Sequence, residues 1–181
     1  MKKLSTFFLL SMFCLFASGQ VMELKDNWKF TIGDNLKWAE KDFDDSSWKA
    51  AIIGKAWEEQ GYKGYDGYAW YRLKVVIPSS LKERSILKDL IKFDLACIDN
   101  FDQVYLNGSL IGQNAKTITG TKQAEDFCKS DVSWNTRRIY TLSCKDERVL
   151  WDQENVIAVR VLDTGGNGGI GLGIPSISIP I

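Results

Sequence analysis

The sequence of 181 residues contains no histidine. Histidine is the commonest general base in enzymes and the commonest protein ligand of zinc. Its absence excludes a serine–histidine–aspartate triad and a histidine-ligated zinc site. With only three prolines and 15 glycines, the chain also lacks the composition of a disordered or collagen-like protein. The absence of histidine therefore restricts the catalytic chemistry open to this chain.

Other catalytic arrangements are also poorly represented. Gly33-Asp34-Asn35 resembles the glycine-aspartate-serine nucleophile motif of some esterases, but the serine is missing. The acidic pairs Asp44-Asp45 and Glu58-Glu59 are adjacent in sequence, and neighbouring side chains on an extended chain point to opposite sides. We therefore expect surface or turn roles for these pairs rather than the facing carboxylates of a glycosidase.

Cysteine is scarce as well. Cys14 lies in an apolar N-terminal run, which leaves Cys97, Cys128 and Cys144. Three cysteines permit at most one disulfide within the chain and do not form a disulfide framework. Cys128 with Cys144 is the only pairing that we consider, and Cys97 falls on the apolar side of an alternating pattern, which predicts a small buried side chain.

The N-terminus has the pattern of a secretory signal peptide. Lys2 and Lys3 precede an apolar stretch from Phe7 to Phe16, and small residues follow at 17–19. The stretch is too short to span a membrane. We expect cleavage after Gly19, a secreted or periplasmic location, and a single domain over residues 20–181. The mature chain would carry 21 basic and 23 acidic side chains, a balance that makes nucleic acid an improbable partner.

Apolar residues alternate with polar ones, which predicts many short strands. Every second residue from Ala69 to Ile77 is apolar, opposite Arg72 and Lys74, and this predicts a half-buried strand. The same alternation recurs over 91–97 and 155–163, and Asn107-Gly108 between apolar runs predicts a hairpin turn. With no long amphipathic helix, the pattern favours an all-β fold: a two-sheet antiparallel β-sandwich of the jelly-roll, galactose-binding type.

Two segments are candidates for a ligand site. Residues 57–71 contain six aromatic residues and three glycines, and aromatic rings pack well against the CH faces of sugars. For Trp57, Tyr62 and Tyr65 the sequence leaves structural and ligand-binding roles equally open. Asp163 ends a strand and precedes a glycine-rich run, so its carboxylate is expected over one end of the sandwich. If the two flanking strands are antiparallel, both segments meet at that end.

These residues also carry a family resemblance. The motifs involved are Phe43 to Trp48, Trp57-Glu58, Gly61 to Arg72, Ile98-Asp99, Asp102, Tyr105 to Gly108, Ile111-Gly112, Arg138, Tyr140 and Asn155 to Val161. Together they resemble the sugar-binding jelly roll of family 2 glycoside hydrolases. The segments 64–72 and 163–166 look closer to the jelly-roll domain of bacterial sialate O-acetylesterases.

The resemblance implies an accessory domain without catalytic residues, because catalysis in those enzymes resides in a separate domain. In family 2 enzymes an aspartate at the end of the strand matched here by 156–162 can lean into the neighbouring active site, and Asp163 is its counterpart. The chain departs from the family at Ala96-Cys97, where a glycine usually precedes the isoleucine-aspartate pair.

The leading hypothesis is an exported module that binds, or is associated with, carbohydrate. Its candidate ligand-facing residues are Trp57, Tyr62, Tyr65, Asp66, Trp134, Arg137, Asp163 and Asn167. Two alternatives remain open: a module that docks onto a separately encoded glycosidase or sialate O-acetylesterase, and a remnant without sugar affinity. No cofactor is expected. Sandwiches of this class often hold a structural calcium ion, but no loop here is dense in oxygen ligands.

Overall fold

The computed structural model describes residues 21–84, 89–114 and 134–180. These residues form two antiparallel β-sheets packed face to face, which confirms the predicted sandwich. The strands are β1 (Val21–Glu23), β2 (Lys29–Ile32), β3 (Lys49–Ala50), β4 (Gly67–Val76), β5 (Leu90–Asp99), β6 (Phe101–Leu106), β7 (Ser109–Asn114), β8 (Arg137–Ser143), β9 (Glu154–Asp163), β10 (Gly169–Leu172) and β11 (Ser176–Ser178).

Short 3-10 helices lie between the strands, at Leu36–Ala39, Trp57–Gln60 and Ser79–Arg84. In the part of the chain that the structure covers, no helix is long and apolar enough to cross a membrane.

The six-stranded sheet has the order β3-β2-β4-β9-β6-β7, and the second sheet has the order β1-β11-β5-β10 with β8 also paired to β5. The hairpin predicted at Asn107-Gly108 joins β6 to β7. The long strands β4 and β9 pair over ten residues, from Gly67 opposite Asp163 to Val76 opposite Glu154. This central pair fixes which loops share an end of the molecule.

The core lies between the sheets and is built by the predicted alternation. Tyr71, Val159 and Phe93 are each at most 1% exposed and belong to the main apolar cluster. Because the alternating residues of each strand point to the same face, the apolar side of β4 meets the apolar side of β5 across the sandwich.

The prediction that β4 is half-buried is wrong for most of its length. The outer face of the six-stranded sheet is covered by the segment 34–48, whose Trp38, Phe43 and Trp48 pack around Trp70. Arg72 is consequently 0% exposed. Local alternation showed which residues share a face, but not that a distant segment covers the polar face.

Cys97 is buried, as predicted, but it does not lie on the core face that the alternation indicated. A register shift lies between Asp94 and Cys97, and Ala96 within it has a left-handed φ of 61°. This bulge returns Cys97 to the outer face, where it pairs with Arg137 and Leu172 and lies outside the main core cluster. Cys144 is buried, whereas Cys128 and the predicted signal peptide lie outside the described residues.

Candidate functional site

The aromatic segment and the glycine-rich segment lie at the same end of the sandwich, as predicted. Gly67 begins β4 directly opposite Asp163 at the end of β9, and the two strands are antiparallel. The loops that follow are linked by hydrogen bonds: the amide of Trp57 donates to the carbonyl of Gly168 (3.1 Å), and the amide of Gly168 donates to Glu58 Oε2 (3.0 Å). We call this end, formed by residues 56–67 and 163–169, the mouth.

Trp57 supports the mouth from inside. Its side chain is 0% exposed, and its indole nitrogen donates to the carbonyl of Tyr65 at 3.1 Å. A Cβ atom built on Gly168 would lie only 2.1 Å from the indole ring, so the loop packs directly on the ring through a glycine. Of the two roles left open for Trp57, this burial corresponds to the structural one, because no face of the ring reaches solvent.

Tyr62 and Tyr65 are half-buried and hold the loop in place. The Tyr62 ring packs edge-on to Phe30 with 5.0 Å between centroids, and the Tyr65 hydroxyl donates to the carbonyl of Tyr68 at 2.7 Å. The Tyr65 ring also packs against Trp57. Of the two roles left open for Tyr65, these contacts favour the structural one, since its hydroxyl and its ring are both engaged.

A cavity of about 140 Å³ opens beside the mouth. It brings together Trp134 and Asn167 from the sequence-based set, and both are exposed, with 56% of Trp134 accessible. The other lining residues are Ala56, Glu59, Cys97, Asp99, Gly168, Gly169, Gly171 and Leu172. An aromatic side chain, an amide, a carboxylate and accessible backbone form the mixed apolar and polar lining expected of a small-molecule site.

Asp99 is the site residue that sequence reasoning missed. It ends β5 and enters the cavity wall because the bulge at Ala96 changes the face on which the following residues lie. The available signal was its place in the Ile98-Asp99 motif that carries the family resemblance. Alternation alone places Asp99 at a strand end without showing what it faces.

Five of the described carboxylates lie at the mouth or in the wall of the adjacent cavity: Glu58, Glu59, Asp66, Asp99 and Asp163. Asp163 is 1% exposed, and its Oδ1 accepts a hydrogen bond from the amide of Gly165 at 3.0 Å. Within the described residues, Asp163 Oδ2 and Glu58 Oε1 are buried and have no hydrogen-bond partner. Asp66, one residue before β4, is exposed. Asp163 is thus buried beneath the mouth rather than extended over it.

The proximity of these groups changes their acidity. Burial, reinforced by the negative charges of Asp163 and Glu58, raises the pKa of Asp99 to about 6, although Arg138 acts in the opposite direction. Burial, together with Asp66 and Glu58, also raises the pKa of Asp163 against the effect of the Gly165 amide. The carboxylates therefore form one electrostatically coupled group.

Arg137 lies next to the cavity but is already engaged. Its guanidinium forms a two-pronged ion pair with Asp94, with Nη2 2.9 Å from Oδ1 and Nε 3.1 Å from Oδ2. The Arg137 side chain is 47% exposed, and in the sheet Arg137 on β8 lies opposite Cys97 on β5. Asp94 thereby holds Arg137 at the rim of the cavity, and the Nε–Nη2 edge of the guanidinium is occupied by this ion pair.

The described carboxylates do not fit a metal site. Among residues 21–84, 89–114 and 134–180, no group of three or more acidic or cysteine side chains is arranged to hold a metal ion. The chemistry available at the mouth is thus hydrogen bonding by carboxylate, amide and backbone groups, beside one exposed indole ring.

Comparison with solved structures shows that this fold is similar to part of several bacterial glycosidase chains. The chain is similar to the β-glucuronidase of Bacteroides uniformis (22% identity, TM-score 0.67, 90% of this chain and 18% of that chain), to a glycosyl hydrolase family 2 member from Bacteroides cellulosilyticus (18% identity, TM-score 0.64, 87% and 20%) and to the β-glucuronidase of Ruminococcus gnavus (13% identity, TM-score 0.64, 90% and 29%). No protein-family model matches the chain, and no curated protein sequence matches it.

The fold is therefore that of one β-sandwich domain of family 2 glycoside hydrolase chains. This chain spans only 18–29% of the length of these three structures. At such identities the likeness establishes the fold, and function must be argued from the residues at the mouth.

Proposed function

We propose that this chain is an exported, non-catalytic carbohydrate-binding module whose ligand occupies the cavity beside the mouth. Export rests on the basic, apolar and small-residue pattern of residues 2–19. The observation that carries the binding function is the cavity itself, where exposed Trp134 and Asn167 stand with Asp99 over a glycine backbone. A sugar ring can stack on the indole while its hydroxyls bond to the amide, the carboxylate and the backbone.

Two glycines shape the cavity wall because neither position has room for a side chain. Gly168 and Gly169 both line the cavity, and a Cβ on either would collide with the buried Trp57 or Tyr71. The loop consequently presents backbone rather than side chains to the cavity. Because the cavity is small and open, we expect weak affinity that depends on few contacts.

The test is a glycan array followed by calorimetric titration of the mature protein, residues 20–181. Trp134→Ala and Asn167→Ala should each lower the affinity for any sugar bound by at least about fivefold, since each removes a direct contact. Both residues are exposed, so the melting temperature should remain unchanged.

The matched control is Val76→Ala. Val76 is 53% exposed and ends β4 at the opposite end from the mouth, so its loss should affect neither binding nor stability. Undiminished sugar binding by both mouth variants would exclude this cavity as the site. Hydrolysis of aryl glycosides or acetylated sialic acids that persists through purification would contradict a non-catalytic role.

A second candidate function is docking onto a separately encoded glycosidase or sialate O-acetylesterase. It is favoured by apolar side chains exposed near the cavity, Trp134, Leu172 and Ile174. The test is analytical ultracentrifugation of the mature protein mixed with a catalytic protein encoded beside it. A complex lost on Leu172→Asp would support docking, and two independent sedimenting species would contradict it.

A further inference from the structure

The mouth carries an unbalanced negative charge. Asp99 stands in the cavity wall, and Glu58 and Asp163 lie close enough to shift its acidity, while Asp66 does the same to Asp163. Asp163 is 1% exposed and its Oδ2 lacks a hydrogen-bond donor among the described residues. In the cavity wall itself Asp99 is joined by Glu59, and none of the described lining residues is a lysine or an arginine.

Nearby cations do not neutralise this charge. Arg138 donates to Asp102 (2.7 Å) and to the carbonyls of Ile98 (2.6 Å) and Asn100 (2.8 Å), and Arg137 is paired with Asp94. Lys55 and Lys63, which lie in or beside the mouth, are exposed, where water and salt screen their charges. Although Arg138 acts on Asp99, burial and the neighbouring carboxylates outweigh it.

We infer that the mouth selects neutral or amino sugars and rejects uronic acids. This inference rests on the proposed carbohydrate-binding function and deepens it by naming the ligand class. A uronic acid would bring a further carboxylate into a cavity that Asp99 and Glu59 already line, and Arg137 at its rim is already paired with Asp94. A neutral sugar donates hydroxyl hydrogens to the carboxylate oxygens, and the ammonium group of an amino sugar adds a charge-assisted hydrogen bond.

The inference departs from the descriptions of the matched structures. Two of the three are β-glucuronidases, whose name denotes a uronic acid substrate. A glucuronate-binding site needs a cation or several donors facing the carboxylate. The described part of this mouth instead offers carboxylates, so ligand preference should not follow the structural likeness.

The experiment is calorimetric titration of the mature protein with matched methyl β-glycosides in the glucose and galactose series. Each series contains the neutral sugar, its 2-amino-2-deoxy derivative and its uronide. At low ionic strength the uronide should bind more weakly than the neutral sugar by on the order of tenfold, and the amino sugar should bind at least as tightly as the neutral sugar. At about 0.5 M salt the gap should narrow, since screening weakens charge repulsion but not steric exclusion.

Asp99→Asn should reduce the discrimination against the uronide at least about threefold at low salt. The control is Glu154→Gln, which makes the same change of charge at the opposite end of β9 and should leave the discrimination unchanged. A uronide that binds as tightly as the neutral sugar would overturn the inference while leaving sugar binding intact. Absence of binding for every glycoside would overturn the proposed function, and the inference with it.

Discussion

Ala96 shows how one residue redirects a strand. Its φ of 61° lies in the left-handed region, which costs an L-residue about 1–2 kcal/mol and which glycine adopts freely. Because Ala96 absorbs the bulge in β5, Cys97 and Asp99 reach the cavity.

This strain predicts different costs for two alanine-to-glycine changes. Ala96→Gly relieves the left-handed strain while losing a buried methyl group and gaining unfolded-state entropy, so its net effect on the free energy of unfolding should be within about 0.5 kcal/mol. Ala69→Gly, equally buried in β4 but without strain, should lose about 1.5 kcal/mol. Urea denaturation measures both, and equal losses would show that Ala96 is not strained.

The raised pKa of Asp99 predicts a dependence of stability on pH. A carboxyl group whose pKa is about 6 in the folded protein holds its proton more tightly than in the unfolded chain. It therefore contributes stability below about pH 4, and that contribution is lost as the pH rises through 6. Asp99→Asn removes the titration, so the melting temperature of the variant should rise relative to wild type between pH 4 and pH 7.

Asp146→Asn is the control for this titration. Arg148 holds the pKa of Asp146 down to about 2, and an unfolded aspartate titrates near 3.8, so Asp146 is ionised in both states above about pH 5. Its difference from wild type should stay constant between about pH 5 and pH 7. A constant difference for Asp99→Asn as well would mean that Asp99 does not titrate there.

At the scale of elements, the mouth depends on the contact between the glycine-rich loop and the 3-10 helix Trp57–Gln60. Gln60 helps to hold that helix, since its side chain accepts from the amide of Ile52 (2.6 Å) and donates to the carbonyl of Lys55 (2.9 Å). The buried indole of Trp57 then forms the floor on which Gly168 rests. Loop position is consequently set by packing as well as by loop sequence.

Gly168→Ala tests this packing. The added methyl group would lie about 2 Å from the Trp57 ring, so the loop or the ring must move, with an expected loss of about 1–3 kcal/mol and weaker sugar binding. Gly171→Ala is the matched control, because its Cβ would meet nothing closer than 3.7 Å. It should change stability by no more than about 0.5 kcal/mol in thermal denaturation. Similar losses for both variants would contradict the role of Trp57 as the floor of the loop.

Element by element, the sequence predicted what depends on local pattern. It predicted the inward faces of β4 and β9 and the hairpin at Asn107-Gly108, because alternation and turn chemistry are local properties. It predicted the burial of Cys97 but not the face on which Cys97 lies, because a bulge interrupts the alternation without an apolar signal. It left the role of Tyr65 open, since the contact with Trp57 depends on how the loop folds back on itself.

The whole molecule has a second buried layer that is organised by arginine. Arg72 reaches from β4 to the segment 34–48, where its Nε donates to Asp45 (2.8 Å) and its other nitrogens bond to the carbonyls of Trp38, Glu40 and Phe43. Arg160 does the same from β9, pairing with Asp34. These guanidinium groups fasten a segment with little regular structure over the sheet.

Arg72→Met should therefore destabilise the fold by about 3 kcal/mol, because it leaves Asp45 without its counter-charge and removes the guanidinium donors to the carbonyls of Trp38, Glu40 and Phe43. Lys74→Met, two residues along on the same face, should change stability by less than about 0.5 kcal/mol, since Lys74 is half exposed and its pair with Glu154 is 4.0 Å apart. Chemical denaturation compares the two. Comparable losses would show that Arg72 does not anchor the segment.

The sequence by itself determined the class of fold and the core faces of the long strands. These follow from the period of two, which each segment carries within itself. The meeting of the two ligand candidates at one end depended on the antiparallel pairing of β4 with β9, which the structure supplied. Only the tertiary structure decided that Trp57 is buried, that segment 34–48 covers the outer face of β4 and that Asp99 joins Asp163 and Glu58 at the mouth. Those outcomes depend on which distant segments pack together. The pattern of polar and apolar residues in one strand does not show which other segment of the chain will cover its outer face.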